Sequence, residues 1–201
     1  MDQKRALEGR AERVYIEDPP LARLLFSDTR SAPFWLVVRV WLGWQWLEAG
    51  WHKVFDPAWV QGGVAVRDFW ARALGTTPTG RPVIAVDWYR AFIQWLYDHE
   101  AWTWLAPLIA WGEVLIGIAL ILGLFTGLAA FGGGFLNWSF VMAGTASTNG
   151  LMFPVAVALM LAWKVAGWWG LDRWLLPALG TPWAPGRLVV RRVPAPPPVS
   201  A

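Results

Sequence analysis

The chain contains no cysteine. That excludes disulfides, thiolate metal sites, iron–sulfur clusters and a cysteine persulfide on this chain. Histidine is almost as scarce, with only His52 and His99 present. A bis-histidine haem would need both at one depth. His99 falls at the boundary of one apolar stretch and His52 near the end of another, so no haem, flavin or metal site is evident. Charged residues make up 15% of the chain and hydrophobic residues 56%. Soluble domains are usually about 45–50% apolar. No cleavable leader is expected from this stretch: Met1 to Arg30 mixes acids and bases without a short apolar core and a small-residue cleavage site. The net charge of +3 is not gathered into a basic helix or stripe with interleaved aromatics, so no nucleic-acid partner is expected.

What the chain does have is four long apolar stretches, near 33–55, 102–123, 127–147 and 151–169. A bilayer core needs roughly 20 apolar residues per helix. The expectation is an all-α, polytopic membrane four-helix bundle. Pro33 suits the first turn of the first helix. Gly132, Gly133 and Gly134 permit close helix approach in the third. Between the first and second spans, residues 56–101 lack spanning hydrophobicity. Apolar residues at helical intervals predict two amphipathic surface helices, near 57–73 and 82–98, with the breaker Gly75-Thr-Thr-Pro-Thr-Gly80 between them. They are expected to cap the bundle.

The organisation is then a tail with an interfacial segment at 1–32, a membrane domain at 33–176 with 56–101 as an external insertion, and a Pro-rich tail at 177–201. Four spans place both termini on one side. The segments before the first span and after the last hold ten of the 17 basic residues and the 56–101 segment holds four. That bias favours cytoplasmic termini in a cell membrane.

Tryptophan is abundant, at 18 residues. Trp102, Trp104, Trp163, Trp168, Trp169 and Trp174 fall near span ends, as an interfacial belt requires. Trp41, Trp44, Trp46 and Trp51 crowd the first span instead. They supply packing volume there or an aromatic wall for a ring.

Ionisable groups inside the spans are costly, about 2.5–3.5 kcal/mol each on insertion scales, so function is sought among them. On the first span Gln45, Glu48 and His52 share one helical face. Arg39, Gly43, Trp46, Gly50 and Lys53 share another. Glu113 lies near the centre of the second span and Asn137 near the middle of the third. Two readings remain open. Arg39 with Glu113 or Glu48 would make a buried pair that fixes helix register, with Lys53 and Lys164 snorkelling to the surface; Glu113 is expected to find its partner on the first span, in Arg39, Lys53 or His52. Alternatively, Glu48 beside His52 would bring the imidazole pKa towards neutrality and allow proton exchange at the membrane edge.

The order of motifs resembles the DoxX/DoxD family. The resemblance rests on Gly43-Trp-Gln-Trp-Leu-Glu-Ala-Gly-Trp-His-Lys-Val54 and on Gly112-Glu-Val-Leu-Ile-Gly-Ile-Ala-Leu-Ile-Leu-Gly-Leu-Phe-Thr-Gly127. Asn137, Ala143-Gly-Thr-Ala-Ser-Thr-Asn149 and Gly170-Leu-Asp-Arg-Trp174 complete it. It covers about 33–176 and implies a four-helix membrane fold. Its DoxD branch is the larger subunit of thiosulfate:quinone oxidoreductase. The resemblance implies a quinone-linked oxidoreductase subunit with thiosulfate as donor and quinone as electron acceptor, in contact with lipid and with a second subunit or larger complex. Glu48, His52 and Glu113 are the candidates for proton handling. Arg39, Lys53, Trp46, Trp51 and Asn137 are the candidates for holding substrate or quinone. The alternative is a non-catalytic scaffold within a larger membrane redox or energy-transducing complex.

Overall fold

A computed structural model describes residues 18–77 and 80–181. The charged segment before residue 18 and the Pro-rich run at 194–198 lie outside the described residues. Every element among those residues is helical. In chain order they are α1 (Pro20–Ser27), a 3-10 turn (Thr29–Ser31), α2 (Ala32–Val54), α3 (Pro57–Val60), α4 (Val64–Leu74), α5 (Asp87–Asp98), α6 (Trp102–Leu122), α7 (Thr126–Met142), α8 (Asn149–Leu161), α9 (Trp163–Ala166) and α10 (Asp172–Ala178).

Helix α2 packs along α6, and α7 packs along α8, with α6 against α7 and α2 against α8 joining the two pairs. The α2–α6 seam is the tightest. A Cβ on Gly43 would sit 2.9 Å from the Gly117 carbonyl, one on Gly50 2.6 Å from the Val114 nitrogen, and one on Gly117 2.5 Å from the Leu47 nitrogen. Small residues at these positions therefore bring backbone against backbone. The glycine run of α7 works differently. Gly133 accommodates the Trp46 ring, and a Cβ on Gly134 would sit 3.3 Å from the flexible Met160 methyl and 3.4 Å from the Ala156 Cβ.

Helix α6 reads inside out. Its buried face is Ala106, Ala110, Glu113, Val114, Gly117 and Leu120. Its outer face exposes Leu108, Trp111, Leu115, Ile118 and Leu122. Large apolar side chains outside and small or polar ones inside are what a lipid solvent requires. Among the described residues α6 is the one helix long and apolar enough to cross a bilayer, with 21 residues and mean hydropathy 2.2. The other expected spans differ from it. Helix α2 has the length, but Arg39, Glu48 and Lys53 lie on it. The third apolar stretch stops being helical at Met142, where Gly144 turns the chain at φ +91°. The fourth is interrupted at Ala162, between α8 and α9.

Two apolar cores result. One lies between the long helices around Trp35, Leu42, Trp46, Leu120 and Leu159. The second lies under the 56–101 insertion, around Val66, Trp70, Ile84, Tyr89 and Ile93. The insertion thus has a buried face of its own and joins the bundle through contacts of α3 and α4 with α6.

Candidate functional site

The charged groups of α2 sort to two ends of the molecule. Near the start of α2, Arg39 is 1% exposed. Its Nη1 donates to the Leu120 carbonyl at 2.8 Å and the Ile121 carbonyl at 3.2 Å, and its Nη2 donates to the Trp169 carbonyl at 3.2 Å. The first two are among the last carbonyls of α6, at the negative end of that helix's dipole, where a cation is stabilising. Gly123, at φ +67°, ends α6, and a Cβ there would run into the guanidinium. Asp172 is fully buried and accepts from the Phe125 N–H at 2.6 Å and the Thr126 N–H at 2.8 Å. It therefore caps α7 and holds Phe125 in a left-handed conformation, φ +47°, that a non-glycine residue seldom adopts. Asp172 also acts electrostatically on Arg39. The Leu171 and Asp172 N–H groups donate back to the Leu122 and Gly123 carbonyls. The Gly-Leu-Asp-Arg-Trp stretch is thus a clasp across the α6–α7 turn.

At the far end of α2, Lys53 Nζ donates to Glu113 Oε1 at 2.5 Å. Gly50, one turn before Lys53, makes this possible, because it lets α2 lie directly on the Glu113 Cβ. Of the pairings open in the sequence, Glu113 takes Lys53, and Arg39 makes backbone bonds instead. The Lys53 ammonium also lies 4.6 Å from the centre of the Trp59 ring and 5.3 Å from that of Phe140, within cation–π range.

This ion pair forms part of the wall of a cavity of about 740 Å³. Gln45, Trp46, Glu48 and His52 come to it from α2. Ala65, Asp68, Phe69 and Arg72 come from α4, and Thr145, Ser147, Thr148 and Asn149 from the α7–α8 turn. Two of its wall residues carry a buried polar atom without a hydrogen-bond partner: Glu113 at Oε2, an acceptor, and Trp46 at Nε1, a donor that lies against Gly133 of α7. Two cations, Lys53 and Arg72, face three carboxylates, Glu48, Asp68 and Glu113.

The structure thus brings Glu48, His52, Lys53, Glu113 and Trp46 to one cavity. It places the other sequence candidates elsewhere. Arg39 belongs to the opposite end. Trp51 is 56% exposed and packs edge-on against Phe55, beside a separate shallow recess that His52 also touches. Asn137 is fully buried with both amide atoms unpartnered, outside the cavity lining. Glu48 and His52 share the cavity, yet among the described residues no hydrogen bond or ion pair joins them; both side chains are exposed to it. Sequence reasoning missed the α4 contribution. Its signal was present: Ala65, Asp68, Phe69 and Arg72 are spaced by three, one and three residues, which is one helical face.

No curated protein and no solved structure matches the chain. The family model for DoxX matches residues 34–146, more than half of the chain. That match runs from the first turn of α2 into the α7–α8 turn and takes in every α2, α4 and α6 residue of the cavity wall. With the inside-out patterning of α6, it leads to one conclusion: the chain belongs to the DoxX family and is a membrane protein of that type.

Proposed function

We propose that this DoxX protein is the membrane subunit of a quinone-linked oxidoreductase, with thiosulfate as electron donor. The observation that carries the reading is the cavity itself, which gathers the Lys53–Glu113 ion pair with Glu48 and His52 beside the rings of Trp46, Trp59, Phe69 and Phe140. A quinone's oxygens change role on reduction, from accepting carbonyls to donating hydroxyls, and a wall that offers both cations and carboxylates can meet either form. A volume of about 740 Å³ lies within the usual range of small-molecule sites, roughly 300–1,000 Å³.

The reaction balances simply. Two thiosulfate dianions lose two electrons and join through a new S–S bond as tetrathionate. The quinone takes those two electrons and two protons. Glu48 and His52, exposed in the cavity, relay protons to the ring, and the Lys53–Glu113 pair fixes the ring's position. Carboxylates outnumber cations in the wall, so the interior is poorly suited to two dianions. The donor is expected to meet the site at its cationic side, near Arg72, or on a partner subunit.

In this reading α2, α6, α7 and the α8–α9 pair cross the cell membrane, with both termini cytoplasmic. The 13 residues of α8 rise about 20 Å. That is short of a hydrocarbon core of about 30 Å, so α9 completes the crossing. Reporter fusions at residues 75–80 and 201 test the topology; an external C-terminus contradicts it. The activity is tested by adding thiosulfate to membranes containing the protein and following reduction of a quinone analogue. Thiosulfate-dependent reduction is expected. Its absence, with losses in variants confined to assembly of a larger complex, would instead favour a scaffold.

A further inference from the structure

A second, apolar pocket of about 280 Å³ lies under α4 and α5, against α6 and α7. It shares two wall residues with the polar cavity, Phe69 and Phe140. Their rings meet edge to face, with centroids 6.1 Å apart. Phe140 has the Lys53 ammonium over its ring and also borders the apolar pocket. The two spaces are therefore neighbours separated by an aromatic partition.

The second pocket is lined almost wholly by apolar side chains. Its polar members are Tyr89, Ser139 and the indole N–H groups of Trp70 and Trp104. The Tyr89 hydroxyl donates to the Ser139 carbonyl at 2.9 Å, and the Ser139 hydroxyl donates to the Phe135 carbonyl at 2.9 Å. Such a space does not favour water and accepts hydrocarbon. Its outer rim is Phe92, Trp104 and Phe135, all exposed, so an apolar chain can leave it towards lipid.

We propose that this pocket holds the prenyl tail of the quinone whose ring occupies the polar cavity. The inference rests on the quinone reading above and extends it: the ligand is an amphiphile with a compact, uncharged head, and it spans the Phe69–Phe140 partition. The excess of carboxylates over cations in the cavity disfavours an anionic phospholipid head, and the flat aromatic walls suit a stiff, unsaturated branched chain.

The test uses the full-length protein in lipid nanodiscs and three probes: a prenylated quinone with a photoreactive group in its tail, the tailless ring, and a phospholipid with the same group in an acyl chain. Affinities are compared at equal mole fraction of membrane-bound quinone. Wild-type protein should bind the prenylated quinone about tenfold or more tightly than the tailless ring, since each buried methylene adds favourable transfer energy. The photoreactive tail should label Phe92, Ile93 and Ile109. Ile109→Trp, which fills the pocket from a half-buried position, should abolish the gain from the tail and leave tailless-ring affinity unchanged. Equal binding of both quinones by wild-type protein overturns the tail site and leaves the quinone reading standing. Labelling of the pocket by the phospholipid without competition from prenylated quinone also overturns it, in favour of a bound lipid. Failure of both quinones to bind removes the quinone reading and this inference with it. Labelling is read on unaltered protein, so the result does not depend on how the variant folds.

Discussion

The two ends of α2 treat buried charge in opposite ways. At the Arg39 end, the guanidinium and the Asp172 carboxylate direct their bonds to helix termini: the carbonyls of Leu120, Ile121 and Trp169 on one side, the N–H groups of Phe125 and Thr126 on the other. At the Lys53 end, Glu113 uses one oxygen for its partner and leaves the other unmet in a cavity wall. Both arrangements neutralise a charge in an apolar setting. Buried polar atoms stay unmet at both ends, Arg39 Nε and Thr126 Oγ1 at the first and Glu113 Oε2 at the second, but only the second end borders the large cavity. A buried ion pair by itself says little about function; the difference is whether charged groups gather around open space.

The strongest way to break this contrast is at the clasp. Asp172→Ala removes two hydrogen bonds to the first turn of α7 and the countercharge near Arg39. A loss of about 3–5 kcal/mol is expected, read as a fall in the unfolding midpoint in detergent. Little change would mean the clasp is not what joins α6 to α7.

Next comes the ion pair. Lys53→Met leaves Glu113 buried with no cation and should cost several kcal/mol. Adding Glu113→Gln should recover part of that loss, as coupled partners do. Additive losses in a double-mutant cycle would show that the pair is not energetically joined.

Smaller effects sharpen the seam. Gly50→Ala forces a Cβ to within 2.6 Å of the Val114 nitrogen and should destabilise by about 1–3 kcal/mol. Gly112, in the same region of α6, has nothing within 4 Å of its added Cβ. Gly112→Ala should be neutral or stabilising by about 0.5–1 kcal/mol. Equal destabilisation by both would contradict the close approach of α2 and α6. The smallest effect is expected at Lys164, which is half-buried on the short helix α9. Lys164→Gln should shift stability by no more than about 0.5 kcal/mol.

Helix positions were largely legible in the sequence. The first two apolar stretches, near 33–55 and 102–123, match α2 and α6 to within a residue, because proline, glycine and an Asp-Pro step mark their ends. The two faces of α2 were legible too, and one of them proves to be the α6 contact. The partners were not. Nothing in a one-dimensional pattern says that Arg39 meets a helix end 81 residues away while Lys53 meets Glu113. Intramembrane charge looked equally functional at both. Asp172 stood inside a recognisable stretch without a role, since capping a helix from a distant segment leaves no local signal. The α4 face was missed because a charged helical face reads first as solvated surface.

The most direct test of the account is the quinone-reduction rate of membranes carrying the Glu48→Gln and His52→Ala double variant, at matched protein levels and with the unfolding midpoint measured in parallel. Both side chains are exposed in the cavity and no hydrogen bond joins them among the described residues, so the midpoint should stay within about 0.5 kcal/mol of the unaltered protein. The rate should fall by about 10²-fold or more, as loss of positioned proton transfer does. A folded, inserted double variant that reduces quinone at the full rate would contradict the assignment of function to the cavity end.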